Sequence, residues 1–401
     1  MSILALFDTD LALEWAGLLI RWTHVVAGIC WIGSSFYFMA LDAELKPNAR
    51  LDARIRGEAW QVHGGGFYHL VKYTVAPEFM PHDLTWFKWE AYSTWIFGFL
   101  LLCVTYFAYP QMYLIDPEVA DISSTMAVGI AALSLPFGYL IYDLLCRSPI
   151  GKNQSALAAS GWVLLVAAIY GYTHVFGGRG AFVEIGALVG TIMAANVFVV
   201  IIPNQRKTVA ALLAGQEPNA AWGKEAKQRS SHNNYLTLPV VFIMLSGHYA
   251  VTYMSQWNWI VLSCVFVAGF LVRTWFNVEN TGQKADWKLW PAAGAAIVVA
   301  LVLSVIGQPN ALPLPDPKAA PVTFAEVDRI ITERCRACHV LPMAPQGIVF
   351  ETPQQIARLA PKIYTQAVRT RAMPLGNLTQ ITDDERTSLR TWIAAGARID
   401  R

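Results

Sequence analysis

AFVEIGALVGTIMAANVFVVII, residues 181–202, is an apolar run that carries a single charged residue, Glu184. About 20 apolar residues of helix cross the hydrocarbon core of a bilayer, so this run is long enough to span one. Comparable runs at 13–38, 92–109, 124–146, 157–176, 235–253, 258–276 and 290–306 bring the number of predicted crossings to eight. Composition agrees: 55% hydrophobic and 14% charged residues over 401 positions, with a mean hydropathy of +0.39, are wrong for a soluble protein of two or three domains. The net charge of +2 comes with no basic stripe or fingerprint, so no nucleic-acid partner is expected. The first apolar run leads into membrane-type sequence without an A-x-A-like site, so no cleavable signal peptide is expected. No internal repeat is evident.

The loops sort by charge. Lys46, Arg50, Arg54 and Arg56 follow the first run, Arg147 and Lys152 the third, Arg206, Lys207, Lys224, Lys227 and Arg229 the fifth, and Lys284 and Lys288 the seventh. The alternate connections hold Asp116, Glu118 and Asp121 or are short. The excess of Lys and Arg marks the cytoplasmic side, which places both termini outside the cytoplasm. In a bacterial inner membrane that side is the periplasm.

Near the C-terminus stands Cys335-Arg336-Ala337-Cys338-His339, a C-x-x-C-H pattern. Two thiols at this spacing can form thioethers to the vinyl groups of a c-type haem, with His339 as the proximal iron ligand. The competing readings are a chance C-x-x-C, a zinc half-site and a redox dithiol. No second Cys pair follows to complete a zinc site, and no βαβ pattern surrounds the motif. Helical periodicity from Thr323 to Arg334 precedes it, and a last helix is predicted from Thr382, with Glu385 placed for a capping box, through Trp392 to Gly396. Met373 lies far enough along the chain to reach the opposite haem face, whereas Met343 is only four residues beyond His339. His/Met ligation favours electron transfer, although Met373 is also a reasonable core methionine. Residues 322–401 resemble a small class I cytochrome c domain. Haem c attachment takes place on the periplasmic side, where eight crossings deliver this segment.

The predicted architecture is therefore all-α: an eight-helix transmembrane bundle over 1–306, a Pro-rich tether over 307–321 and a periplasmic cytochrome c domain over 322–401. Pro309, Pro313, Pro315, Pro317 and Pro321 should make the tether extended and stiff. Cys30, Cys103, Cys146 and Cys264 have no pairing pattern and suit small buried hydrophobes.

Ionisable side chains at membrane depth are costly, so each is a functional candidate. His24 lies in the first run, with Arg21 one turn above it, and His232 and His248 lie sixteen residues apart around the sixth, a spacing of roughly 24 Å on a helix. His24 and His248 then fall at a similar depth and could ligate a b-type haem, with Arg21 meeting a propionate. Hydrogen-bonded structural histidines and a substrate or proton-relay role are the alternatives, and His174 competes for either position. Asp143 and Glu184 suit proton release or structural pairing equally.

On the cytoplasmic side, His63-Gly64-Gly65-Gly66-Phe67-Tyr68-His69 sits in a segment, 60–90, that also holds Trp60, Tyr73, His82, Trp86 and Trp89. The glycines permit an anion-binding backbone nest and the aromatics offer faces to a planar ring, while an interfacial anchoring belt is the plainer alternative. His232 and Asn233, with Arg273, Asn277 and Asn280 from the seventh run, could join this cluster.

The motifs W-I-G-S-S-F-Y-F at Trp31 to Phe38, H-G-G-G-F-Y at His63 to Tyr68 and H-N-N-Y-x-T-L-P at His232 to Pro239, followed by a Pro-rich segment and C-x-x-C-H, resemble the bacterial membrane-bound urate oxidases (urate hydroxylases) fused to cytochrome c. The likeness covers essentially the whole chain. It implies oxidation of urate to 5-hydroxyisourate in purine breakdown, with electrons leaving through the cytochrome to a soluble cytochrome c or terminal oxidase and no peroxide formed. Urate is a planar anion, and on this reading Arg273 or the His63 to Gly66 turn meets its charge, Asn277, Asn233 or Gln61 its edge, and His63, His69 or His232 accepts a proton. Two other classes compete: a quinol- or other small-molecule-dependent cytochrome reductase, and a membrane-anchored electron carrier without substrate chemistry. No flavin or nicotinamide fingerprint is present.

Overall fold

The structure is a computed structural model that describes residues 9–74, 80–81, 83–308, 322–341, 344 and 347–399. His82, Met343 and the tether from Pro309 to Pro321 lie outside the described residues. In chain order the elements are α1 (Thr9–Glu44), β1 (Ile55–His63), β2 (Gly66–Tyr73), α2 (Trp89–Leu101), α3 (Pro110–Tyr113), α4 (Ser124–Arg147), α5 (Gln154–Thr173), α6 (Gly178–Ala195), α7 (Ile202–Leu213), α8 (Ala220–Ser246), α9 (Ala250–Tyr253), α10 (Asn258–Glu279), α11 (Leu289–Ile306), α12 (Phe324–Arg334), α13 (Pro353–Arg358), α14 (Ala360–Ile363) and α15 (Asp383–Ala394).

Seven helical stretches among the described residues are long and apolar enough to cross a membrane, which is compatible with a multi-pass membrane protein: Trp15–Glu44, Trp89–Phe107, Ser124–Arg147, Gln154–Thr173, Gly178–Leu213, Asn258–Glu279 and Leu289–Ile306. The predicted run 235–253 behaves differently. Its first part is the end of α8, whose other half carries Lys224, Glu225, Lys227 and Arg229, and the helix stops at Ser246. Turn bonds from His248 N to Leu245 O and from Tyr249 N to Ser246 O close it off before the single turn of α9.

Helix α6 is the centre of the bundle. Half of its apolar window is buried, against 6% for α1, because Phe182, Ile185, Leu188 and Val189 meet Ile169, Phe176, Ile243, Leu262 and Phe266. Gly186 lets α8 approach: a Cβ there would stand 2.7 Å from Ile243 Cγ2. Polar caps start the flanking helices, as when Ser123 accepts from Met126 N and Asn153 from Ala156 N. The 36-residue stretch Gly178–Leu213 is continuous because a wide turn over Asn196–Ile201 joins α6 to α7. Such insertions recur at functional sites.

The all-α expectation needs one correction. Residues 55–73, which overlap the first part of the aromatic segment read over 60–90, form an antiparallel hairpin with Trp60 opposite His69 and Val62 opposite Phe67. Alternating Val and aromatic residues favour a strand, and Gly64 and Gly65 at φ +59 and +78 supply the two-residue turn that Cβ-bearing residues resist. The hairpin rests on the end of α1 through the Lys46–Glu58 bridge and the Tyr37 hydroxyl, which donates to Gln61 Oε1 at 2.8 Å.

In the C-terminal unit the predicted capping box forms: Thr382 Oγ1 accepts from Glu385 N, and Glu385 Oε2 accepts from Thr382 N. Val327, Ile330, Ile331, Phe350, Ile356, Leu389 and Trp392 make its core. Arg334 of α12 holds Glu385 of α15 at 3.1 Å. Burial raises the Glu385 carboxyl, but this guanidinium outweighs it and keeps the group below the usual carboxylate range.

Candidate functional site

A belt of buried polar side chains crosses the bundle where α8 meets α4, the wide turn after α6, and α10. The Tyr142 hydroxyl lies 2.7 Å from His232 Nδ1 and accepts from Asn196 Nδ2 at 3.1 Å; its oxygen has a second lone pair for His232 Nδ1–H, the tautomer that leaves Nε2 as the basic nitrogen. Asn196 Nδ2 also donates to Asn233 Oδ1 at 2.9 Å, and Asn233 Nδ2 to Met193 O. One turn away, Arg229 pairs with Asp143 at 2.7 Å, and Asp143 also holds Arg147.

On the opposite face of α8, Asn234 Oδ1 accepts from Arg273 Nε and Nη2, both at 3.1 Å, and from Asn277 Nδ2 at 3.0 Å. Arg273 also donates to Asn277 Oδ1 and stacks its guanidinium 4.0 Å from the Phe36 ring. It is only 5% exposed, and among the described residues no carboxylate pairs with it. A buried cation without a counter-ion is expensive, and a bound anion would offset that cost. Arg229 Nη1, Asn234 Nδ2 and Asn196 Oδ1 are buried without a partner, leaving two donors and an acceptor unused.

The other predicted residues are distributed around this belt. His69 pairs with Glu58 at 2.5 Å and stacks on Trp60 at 4.2 Å, while His63 ends β1 in an exposed position. The Asn48 amide and His69 hold the Glu58 carboxyl below its usual range. The glycines between the two histidines serve the hairpin turn. Hairpin and belt are linked through α1, where Tyr37 reaches Gln61 and its neighbour Phe36 lies under Arg273. His24 holds Thr94 O with Nδ1 at 2.8 Å, and a Cβ on Gly98 would stand 2.8 Å from its Cε1. Arg21 is exposed. His248 lies exposed in the turn after α8, and no hydrogen bond or ring contact joins it to His24 among the described residues. The two histidines expected to share one helix are separated by its end. His174 is occupied by Tyr170, through its carbonyl at 2.7 Å and its ring at 3.9 Å. Glu184 is fully buried and neither of its oxygens has a partner.

Tyr142, Asn196 and Asn234 were not singled out by sequence reasoning. The available signal was a carboxamide inside an apolar run, as at Asn196, which the membrane-cost argument covers as well as it covers charges.

In the C-terminal unit, Cys335 and Cys338 follow α12 on one turn, with His339 N and Cys338 N both bonded to Cys335 O. His339 Nδ1 lies 2.9 Å from Ile348 O, which fixes the ring and would leave Nε2 as the nitrogen available to a ligand. Burial pushes the Cys335 thiol up to about 12, so it is no preformed thiolate. Met373 packs against the unit's core, and its carbonyl accepts from Arg386 Nη1 at 3.0 Å. These residues suit a thioether-linked haem. No group of three or more His, Cys, Asp or Glu able to hold a metal ion occurs among the described residues.

No curated protein and no solved structure matches the chain. The family model described as Urate oxidase N-terminal does match, over residues 10–305, which takes in the hairpin and every element of the belt, and the chain belongs to that family.

Proposed function

We propose that the bundle oxidises urate to 5-hydroxyisourate in the polar belt and passes the electrons to haem c in the C-terminal unit, without forming peroxide. Urate and one water give 5-hydroxyisourate, two protons and two electrons, so dioxygen is not a reactant. The observation that carries this reading is Arg273, a buried guanidinium held by two carboxamides with no counter-ion among the described residues. A purine anion would supply the missing charge and present carbonyl and N–H edges to Asn234, Asn277 and the unused atoms of Asn196 and Arg229. His232, poised by Tyr142, accepts a proton from the ring or from the attacking water.

Cys335 and Cys338 would hold haem c by thioethers, His339 and Met373 would supply its iron-binding nitrogen and sulfur, and the group would supply a one-electron acceptor of raised potential. In the membrane, His24 has one ring nitrogen fixed by Thr94 and the other free to bind iron. His248 lies exposed in the turn after α8, and no step is assigned to a membrane haem. With α8, 27 residues long, crossing beside the seven apolar helices, the charge sorting of the loops supports a cytoplasmic belt end and a C-terminal unit in the periplasm of the inner membrane, where a soluble cytochrome c or terminal oxidase takes the electrons. Anaerobic addition of urate to the purified protein should produce the reduced haem c spectrum. Failure to do so, with haem c present and reducible by dithionite, would refute the assignment.

A further inference from the structure

The C-terminal unit is seated on the bundle by the segment that follows Arg371. Gly376, at φ +55, lies so close to α3 and the turn after it that a Cβ would come 2.8 Å from Gln111 O and 2.9 Å from Ile115 O. Ala372 completes the apolar cluster of the bundle. Beside these contacts a cavity of about 80 Å³ is lined by Asp116, Glu118 and Arg179 from the bundle and by Arg371 and Arg386 from the C-terminal unit. Two acids and an arginine of one body thus face two arginines of the other. Arg371 is shared with Asp383 at 3.2 Å, and Arg386 is anchored within its own unit by Met373 O. Met373 lies inside this segment, so the face of the C-terminal unit that carries it is turned toward the bundle.

We infer that this surface is a salt-sensitive, reversible dock for the C-terminal unit: seated, the unit receives an electron from the bundle, and released, it delivers that electron to a soluble one-electron acceptor such as a ferricytochrome. The inference rests on the electron-transfer reading above. Each urate releases two electrons, whereas the chain holds one C-x-x-C-H motif and so one attachment site for a one-electron group. Two loadings and two deliveries are therefore needed per turnover. The 13 residues from Pro309 to Pro321 give a reach of at most roughly 45 Å, enough for the unit to leave its seat without leaving the protein. Opposite charges that face each other across a seam are screened by salt, which weakens that part of the contact more than its apolar part.

The test uses the full chain with Arg371→Lys, which gives the seam an amine beside Asp116 and Glu118. Treatment with a water-soluble carbodiimide, followed by mass spectrometry, should find Lys at 371 joined to one of these acids at low salt. The yield should fall at least tenfold at about 1 M salt, where charges are screened within about 3 Å. Gly376→Trp, made alone or with Arg371→Lys, should abolish the cross-link and slow urate-driven haem reduction at least tenfold, leaving the dithionite-reduced spectrum unchanged. Glu118→Lys, which leaves the C-terminal unit untouched, should slow that reduction likewise, and Arg371→Glu should rescue it. No cross-link at low salt, or urate-driven reduction indifferent to Gly376→Trp and Glu118→Lys, would overturn the dock. If urate fails to reduce the unsubstituted protein, the substrate assignment falls while the cross-link still decides the dock.

Discussion

Replacing Arg273 by Met keeps much of the side chain's volume and removes its charge, and the structure gives opposite signs for the two consequences. For the protein without substrate, three hydrogen bonds to Asn234 and Asn277 are lost, each worth about 1 kcal/mol net. Against this, an unpaired buried guanidinium disappears, a relief of several kcal/mol. Asn234 Oδ1 keeps the Asn277 amide as a donor. Folding stability should thus stay level or rise. Urate binding loses a desolvated charge pair worth about 2–5 kcal/mol, or a fall in affinity of about 30-fold to several thousand-fold. Thermal unfolding with and without urate separates the two: at a hundred times its Kd, urate should stabilise the parent by about 2.7 kcal/mol and the Met variant hardly at all. Arg273→Met protein that unfolds earlier on its own yet is stabilised by urate like the parent would refute the reasoning, because Arg273 would then be a structural group.

Tyr142→Phe removes the hydroxyl that orients His232 and leaves its Nδ1 without a partner, at a cost of about 1–3 kcal/mol; kcat should fall with KM nearly unchanged, whereas a change in KM alone would make Tyr142 a binding group. Met373→Ala should leave the covalent haem c in a pyridine haemochrome assay but lower its potential, while His24→Ala should remove any b-type absorbance and leave the c-type band; a b-type band that survives would put its ligands elsewhere. The Glu58 carboxyl, held below its unfolded value by Asn48 and His69, contributes stability above the ordinary carboxylate range that is lost as pH falls through its folded value. Trp60, stacked on His69, should report this loss as a fluorescence change on acidification that Glu58→Gln abolishes.

The helices were legible where local rules coincide with the fold. Apolar runs long enough for a bilayer became the seven long helices, and the Thr382–Glu385 spacing became a capping box, because both signals are written within a few turns of chain. The eighth run illustrates the limit: hydropathy counts residues 235–253 as continuous, but turn bonds at Leu245 and Ser246 end the helix there. The hairpin was hidden by a competing use of the same residues. Three glycines between histidines suit an anion nest as well as a turn, and only strand pairing of Trp60 with His69 decides between them. Arg273 and Asn277 were visible as an i, i+4 pair, whereas Asn234, which binds both, comes from another helix. The contact of Gly376 with Gln111 joins residues too distant in sequence for any pattern to reveal.

Charge is distributed along the bundle to serve both ends at once. From Gly178, at the seam with the C-terminal unit, to Asn196 in the belt, α6 covers eighteen residues, or roughly 27 Å. The belt end carries Arg147, Lys152, Arg206, Lys207, Lys224 and Lys227, and the seam end carries Asp116, Glu118 and Asp121. A basic rim raises the local concentration of an anionic substrate, and an acidic one attracts the arginines of the C-terminal unit. Both effects weaken with salt, but they act on different quantities. If the proposed reading holds, salt screening at the belt end should raise KM for urate, and screening at the seam should slow reduction of the haem at saturating urate. On the proposed reading, this one asymmetry would separate the site of oxidation from the site where electrons leave.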